Sequence, residues 1–341
     1  MSPVAGPLAS LAAEISARGR GLGRPVTLDL PDLTERTGQL PLDPPGLASP
    51  NRACRLVQAA DGWIAVNLAR EDDAGLVPAW LGCAPVDELW PAIETAARRR
   101  AWADLVEGAR LLGLPVAGVG EVTATSLAAP LLPAGQAGSS AVRNLRVVDL
   151  STLWAGPLCG AVLAAAGGAV TTVDSRRRPD PSRSSTPDLF RRLNGAKTDL
   201  VLDFAEARDR ARLREMIVRA DVVITSARPR AFEQLGLAPA DLFAERPDLV
   251  WVAISGYGWG GEAADRVAFG DDAAAAGGLV RWTPGGAPNF LGDALADPLT
   301  GLSAAAGALQ ALAQGGGVIV DVALARTAAG AATQLGLSAA A

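Results

Sequence analysis

The chain offers few groups able to do covalent chemistry, because its 341 residues include no histidine. Ser-His-Asp and Cys-His nucleophile systems, HExxH zinc sites and imidazole acid–base catalysis are thereby excluded. Chemistry must rest on carboxylates, hydroxyls, thiols, lysine, backbone dipoles or a cofactor. The carboxylate with the most informative setting is Asp297, in Asp297-Pro-Leu-Thr300, just ahead of an Ala-rich stretch that reads as a helix from Leu299 to Ala313. This spacing predicts Asp297 as the N-cap and Pro298 as the first helical residue. The helix dipole and backbone N–H groups keep such a carboxylate ionised, and an ionised carboxylate attacks without first losing a proton. A plain helix cap and a nucleophile are both open readings of Asp297. Asp293 sits in a Gly292-Asp293 turn with no such support. Asp271-Asp272 could be an acid–base pair or a metal site, but an exposed turn or cap is the simpler reading.

Three further features stand out: an arginine run, a lone lysine and a glycine-rich loop. Arg176-Arg-Arg178 follows an apolar run and is either a solvated turn or a phosphate patch. Lys197 is the single lysine among thirty arginines. Ser255-Gly-Tyr-Gly-Trp-Gly-Gly261 also follows an apolar run, but its spacing is not that of a dinucleotide-binding GxGxxG, so it reads as a loop lining a site. There is no P-loop and no GxSxG elbow. Cys54, Cys83 and Cys159 are odd in number and far apart, which argues against a disulfide framework or zinc ribbon and fits a reducing cytoplasm.

Parallel strands must position these residues. Short apolar runs at Arg146–Leu150, Ala169–Val173, Asp199–Leu202, Asp221–Thr225, Leu249–Ile254 and Val318–Val322 are mostly separated by helical segments. That rhythm predicts an α/β fold, a Rossmann-like, doubly wound and mainly parallel sheet with helices on both faces. Ligands of such sheets bind beyond the carboxyl ends of strands, which singles out the loops after Leu150, Val173, Thr225 and Ile254. The first third reads differently. Cys54–Ala59 and Gly62–Leu68 form a hairpin around Asp61-Gly62, and Glu88–Gly113 carries apolar residues at helical spacing. We expect a smaller α+β domain over residues 1–121, largely irregular up to residue 50 after one short helix. A Pro/Gly/Ser/Ala linker follows over 122–141, and the large domain spans 142–341.

The net charge of −5 argues against nucleic acid as a partner. Two charge-free windows, Leu150–Val173 and Pro298–Val320, are Ala/Gly-rich and cut by glycines, so each reads as a buried helix plus a strand rather than a membrane span. The start of the chain lacks the basic and apolar regions of a secretory signal.

The ordered motifs of the second half resemble family III CoA-transferases, the CaiB/BaiF family. Val147-Val-Asp-Leu-Ser-Thr-Leu-Trp-Ala-Gly-Pro157 is similar to the family's opening strand and AGP turn, and Gly168-Ala-Val-Thr-Thr-Val-Asp174 to its second strand. Asn194-Gly-Ala-Lys-Thr-Asp-Leu-Val-Leu-Asp203, Ala220–Thr225 with Arg228-Pro229, Ile254-Ser-Gly-Tyr-Gly258 and Asp297-Pro-Leu-Thr-Gly301 follow in family order. Asp61-Gly-Trp-Ile-Ala-Val66 and Leu112-Gly-Leu-Pro-Val-Ala117 resemble the small domain that normally comes later. The order therefore looks circularly permuted, which a surface linker tolerates.

The resemblance implies an acyl-CoA:carboxylate CoA-transferase in which Asp297 forms an acyl anhydride and then an aspartyl-CoA thioester. It also implies coenzyme A thioester as a substrate with no tightly bound cofactor or metal, a carboxylic-acid acceptor, and a homodimer or a pairing with a second, related chain. An oxyanion and acyl pocket is expected from Trp154, Ala155, Gly156, Gly256, Tyr257 and Gly258. CoA contacts are expected from Arg176, Asn194, Lys197, Leu202 and Arg228. Trp154 departs from the family's usual residue before the AGP turn and suggests a different acyl group. The racemase branch's histidine near Phe269-Gly270 is missing. A catalytically silent CoA-binding or partner subunit is the alternative, and the missing GxGxxG disfavours an NAD-dependent dehydrogenase.

Overall fold

A computed structural model of the chain describes residues 2–36, 38–85, 87–139 and 144–337. The first part runs α1 (Ala5–Gly21), α2 (Leu30–Thr34), β1 (Cys54–Gln58), β2 (Trp63–Asn67), α3 (Asp73–Leu81), α4 (Leu89–Ala97), α5 (Trp102–Leu112), β3 (Val116–Gly118) and β4 (Leu131–Pro133). There follow β5 (Arg146–Asp149), α6 (Ala155–Ala165), β6 (Ala169–Ser175), α7 (Ser182–Ser185), α8 (Pro187–Asn194), β7 (Thr198–Leu202), α9 (Ala207–Val218), β8 (Val222–Thr225), α10 (Pro229–Gln234) and α11 (Pro239–Glu245). The chain continues through β9 (Val250–Ser255), α12 (Gly270–Ala276), β10 (Val280–Trp282), β11 (Pro288–Phe290), α13 (Ala296–Ala313), β12 (Val318–Ala323) and α14 (Leu324–Gln334).

Seven strands form the main sheet in the order β4-β12-β9-β8-β5-β6-β7. Only β4 is antiparallel to its neighbour. From β7 to β12 the six parallel strands follow the 3-2-1-4-5-6 order of dinucleotide-binding folds, which reverses between β5 and β8. All six expected strands are present within two residues of their sequence bounds. The three-residue strands β4, β10 and β11 are too short to leave a pattern in the sequence.

Side-chain alternation divides the core. Val147, Val222, Ile224, Val250, Val252 and Ile254 point to one face and pack with α1, α6 and α13. Val148, Val223, Trp251 and Ala253 point to the other and pack with Leu213 and Ile217 of α9, Phe232 of α10 and Phe243 of α11. The α13 helix is buried on nearly all sides, which explains a composition that is apolar all round. Both charge-free windows resolve as expected, into α6 with β6 and α13 with β12. No helix among the described residues is long and apolar enough to cross a membrane.

The antiparallel sheet β1-β2-β3 and helices α3 to α5 enclose a separate small core around Ile64, Val77, Ile93 and Leu105. The stretch expected as helical over 88–113 is two helices, parted where the Arg100 carbonyl accepts from the Ala60 N–H at 3.0 Å. Two readings of the domain organisation are corrected. The helix α1 is 17 residues long, and its Val4-side start, Leu8, Leu11 and Ile15 belong to the core of the large sheet, so residues 1–121 are not one small domain. Residues 122–139 are not a free linker. Leu127 is buried, β4 extends the main sheet, and the Gln136 and Gly138 amides donate to Pro247 and Gly315 carbonyls at 2.8 and 2.7 Å. Packing decides both, because these backbone donors find carbonyls on the large unit. The expected boundary at 140–143 and the last residues, 338–341, lie outside the described residues.

Candidate active site

A cavity of about 500 Å³ opens at the carboxyl ends of β5, β8, β9 and β12, where the strand order reverses. Its walls are the turn Thr152–Gly156, the segment Ser226–Ala231, Ile254–Gly256, Ala264–Phe269, Leu324 and, from the small unit, Arg70; Asp297 also faces it.

The turn after β5 is unusual in backbone and side chain. Leu153 adopts φ +70, a left-handed conformation that an L side chain disfavours. It is held there by its N–H to Asp180 at 3.1 Å and by the Thr152 N–H to Ser226 Oγ at 3.2 Å. Trp154 begins α6 without a side-chain cap, leaving the first-turn amides of Ala155 and Gly156 beside the cavity. The Trp154 indole N–H donates to the Leu33 carbonyl at 3.2 Å, and the Arg36 guanidinium lies 5.1 Å from its ring centre. Trp154 thus joins the N-terminal segment to the cavity wall.

Asp297 is not the N-cap expected from sequence. The helix α13 starts at Ala296, so Asp297 lies inside its first turn, after Ala294 at φ +45. No hydrogen bond reaches its carboxylate among the described residues. Enclosure by protein pushes its pKa up to about 7, with Arg36 opposing and Asp271 and Asp293 adding to the rise. The expected permanently ionised carboxylate is therefore corrected to one that titrates near neutrality. A Cβ at Gly270 would strike the Asp297 carboxylate, so glycine is required there. Asp293 is not unsupported: Arg36 donates to it twice, at 2.5 and 2.8 Å, and Asn51 donates at 2.8 Å.

Asp271 and Asp272 are buried rather than exposed. Asp271 accepts from Asn51 and from the Ala294 N–H, each at 2.7 Å, and burial raises its pKa to about 6. Asp272 accepts from Asn67 at 2.7 Å and from the Phe269 N–H at 2.9 Å as a cap of α12, and burial raises its pKa to about 8. Among the described residues no three acidic or cysteine side chains group so as to hold a metal ion.

Of the residues expected to form the oxyanion and acyl pocket, the CoA contacts and the nucleophile, Trp154, Ala155, Gly156, Arg228, Gly256 and Asp297 share the cavity. The others do not. The Tyr257 hydroxyl donates to Glu121 at 3.0 Å, away from the cavity lining, beneath Arg266, whose guanidinium is 3.6 Å from the ring centre. The Gly258 amide is spent on Ser255 Oγ at 2.9 Å. Lys197 and Asn194 are bonded to each other, and Lys197 is paired with Asp149 inside the protein, so neither is available to a phosphate. Leu202 is a core residue. Arg176 is exposed outside the cavity, and its neighbour Arg178 lines it instead.

Of the arginine run 176–178 only Arg178 lines the cavity; sequence reading missed Arg70, Arg230 and Arg266, which with Arg178 and Arg228 make the lining strongly basic. Arg230 lies two residues from Arg228, which was noticed. Arg70 carries no local signal, because it reaches the site from the small unit, and Arg266 lies in the irregular wall segment between β9 and α12. Burial, with Arg230 as a repelling neighbour, lowers the pKa of Arg228. Its one hydrogen bond among the described residues is a long one, 3.5 Å to the Asp265 carbonyl. An anion would relieve that cluster.

The fold and site together define a Rossmann-like α/β protein whose basic cleft leads to one titratable carboxylate. The sequence model of CoA-transferase family III matches residues 142–339. The chain belongs to that family, whose members are also called CaiB/BaiF proteins. It is 31% identical over 192 residues to succinyl-CoA–D-citramalate CoA-transferase of Chloroflexus aurantiacus, a match covering 52% of this chain and 48% of that one. It is 39% identical over 121 residues to the human alpha-methylacyl-CoA racemase, covering 36% and 30%. A crystal structure of a CaiB/BaiF family protein from Brucella suis superposes with a TM-score of 0.52 at 28% identity, covering 58% of this chain and 56% of that one. The chain spans about half the length of the first of these relatives.

Proposed function

We propose that the chain is an acyl-CoA:carboxylate CoA-transferase with Asp297 as its nucleophile. The observation that carries this reading is the single unbonded carboxylate facing the arginine-lined cavity at the strand-order reversal. The ionised Asp297 attacks the thioester carbonyl of a donor acyl-CoA; the C–S bond breaks, giving an acyl–aspartyl anhydride and CoA thiolate. The thiolate attacks the aspartyl carbonyl, releasing the donor acid and leaving an aspartyl-CoA thioester. An acceptor carboxylate displaces the thiolate from that thioester, and the thiolate then takes the new acyl group, restoring Asp297. No proton transfer is needed, which suits a chain without histidine. Amides of Ala155, Gly156 and Gly256 are the proposed stabilisers of the oxyanions. Arg178, Arg228 and Arg230 are the proposed phosphate contacts, replacing Arg176, Asn194, Leu202 and Lys197.

The same proposal includes a circularly permuted domain order, supported by a family match that begins after the small unit. It also includes a homodimer and, from three unpaired cysteines, a reducing compartment. The test is Asp297→Asn, assayed with a panel of acyl-CoAs while light scattering follows the mass in solution. Transfer should fall by about 10³-fold or more, and the hydroxylamine-sensitive adduct seen by intact mass should vanish, with the melting temperature nearly kept. Full transfer without deamidation would reduce Asp297 to a structural residue, and a 34.7 kDa active species would remove the dimer.

A further inference from the structure

The only lysine of the chain is sealed inside it. The side chains of Lys197 and Asp149 are 1% and 0% exposed, and Lys197 Nζ donates at 2.8 Å to Asp149 Oδ2, at 2.8 Å to the Pro157 carbonyl and at 2.9 Å to Asn194 Oδ1. All three ammonium protons are therefore used. The other oxygen of Asp149 accepts both the Ser151 N–H, at 3.1 Å, and the Ser151 hydroxyl. One buried ion pair thus grips both ends of the turn that lines the cavity: Ser151 ahead of it, and Pro157 in the first turn of α6. A Cβ at Gly160 would come within 2.5 Å of the Asp149 carboxylate and 2.7 Å of Lys197 Nζ, so the helix face is cut away to admit the pair. Between the two grips lies Leu153 in its left-handed conformation, and such strain persists only where surrounding structure over-determines it.

We propose that the Lys197–Asp149 pair is a positioning device for catalysis: it sets the amides of Ala155 and Gly156 against the reacting carbonyl. This rests on the transferase reading above. Lys197 touches no cavity atom and acts through Ser151 and Pro157. A shift of those amides by about an ångström lowers turnover on the order of 10²-fold while leaving substrate affinity in place.

The experiment compares Lys197→Met with the double variant Lys197→Met/Asp149→Leu, which replaces both charges by apolar groups. The single variant strands a buried carboxylate and should melt roughly 10 °C lower. The double variant should regain most of that loss yet keep the fall in kcat, with KM for acyl-CoA near the wild-type value. Amide exchange over residues 151–158 should be accelerated in both variants. That readout stands whether or not the wild type transfers CoA, so a failed functional reading and a failed positioning role remain distinguishable. Recovery of kcat together with melting temperature in the double variant, or unchanged exchange over the turn, would overturn the proposal and leave the pair a stabilising contact.

Discussion

At the scale of single residues, the central question is how a carboxylate enclosed by protein becomes charged. Enclosure holds Asp297 near neutrality in pKa, and Asp271 and Asp293 oppose its ionisation. Arg36 is the one group that lowers it, and Arg36 is fixed by its two hydrogen bonds to Asp293 and by the Trp154 ring. Removing this cation leaves only causes that raise the pKa. In Arg36→Gln the rising limb of kcat/KM, expected near pH 7 for the wild type, should therefore move upward by about one unit or more. The rate should fall about fivefold or more at pH 7 and recover on the alkaline side. A uniform loss at every pH, with the limb in place, would show that Arg36 holds shape rather than charge. The departure at Trp154 has its explanation in the same contact, since its indole serves the N-terminal segment.

At the scale of elements, the site depends on how closely α13 approaches α6. A Cβ at Gly301 would lie 2.7 Å from the Ala155 carbonyl and 2.8 Å from Leu158, and one at Gly307 would lie 2.6 Å from Val320. Gly301→Ala should cost roughly 1–3 kcal/mol of stability, as overpacking does, and should lower turnover by displacing Ala155 from the cavity wall. Thermal melts with steady-state assays check this, and an unchanged melting temperature would mean that the helices part freely. The central strands β5, β8 and β9 were legible because they are buried on both faces and so read as continuous apolar runs; β7, at the sheet edge, is mostly exposed and was legible only as a short β-branched and leucine run. The start of α13 was misplaced by three residues. The Asp-Pro pair invited an N-cap reading, yet the chain turns at Ala294, whose carbonyl accepts the Asp297 N–H at 2.9 Å. Pro298 is still harmless, lying in the first turn, where amides lack helical partners.

At the scale of the whole molecule, the enclosed carboxyls make folding stability depend on pH. Asp271, Asp297 and Asp272 titrate at about 6, 7 and 8 in the folded chain, against 3.8 for an ordinary aspartate. Between pH 4 and 8 the folded state therefore holds protons that the unfolded state has released, and stability falls as pH rises. The favourable contribution is complete below about pH 4 and lost above about pH 8. The urea midpoint should decline steadily from pH 5 to 8, and less so in Asp272→Asn. A midpoint that is flat or rises over this range would contradict the burial of these groups.

The sequence by itself determined the strand rhythm, the Rossmann-like class and the absence of imidazole chemistry, and it pointed to Asp297 and the turn around Trp154, which the structure brings to one cavity. These follow from composition, apolar periodicity and motifs a few residues long. Only the tertiary structure decided which cations face the cavity. Lys197 and Asn194 share a local motif, but 48 residues of separation hid the pairing of Lys197 with Asp149. Arg36 stands 257 residues from Asp293. Arg70 reaches the cavity from the small unit. Whether a cation meets solvent, ligand or a buried carboxylate depends on what packs around it. That partner is set by the folding together of distant segments, and it is also what fixes the charge of Asp297.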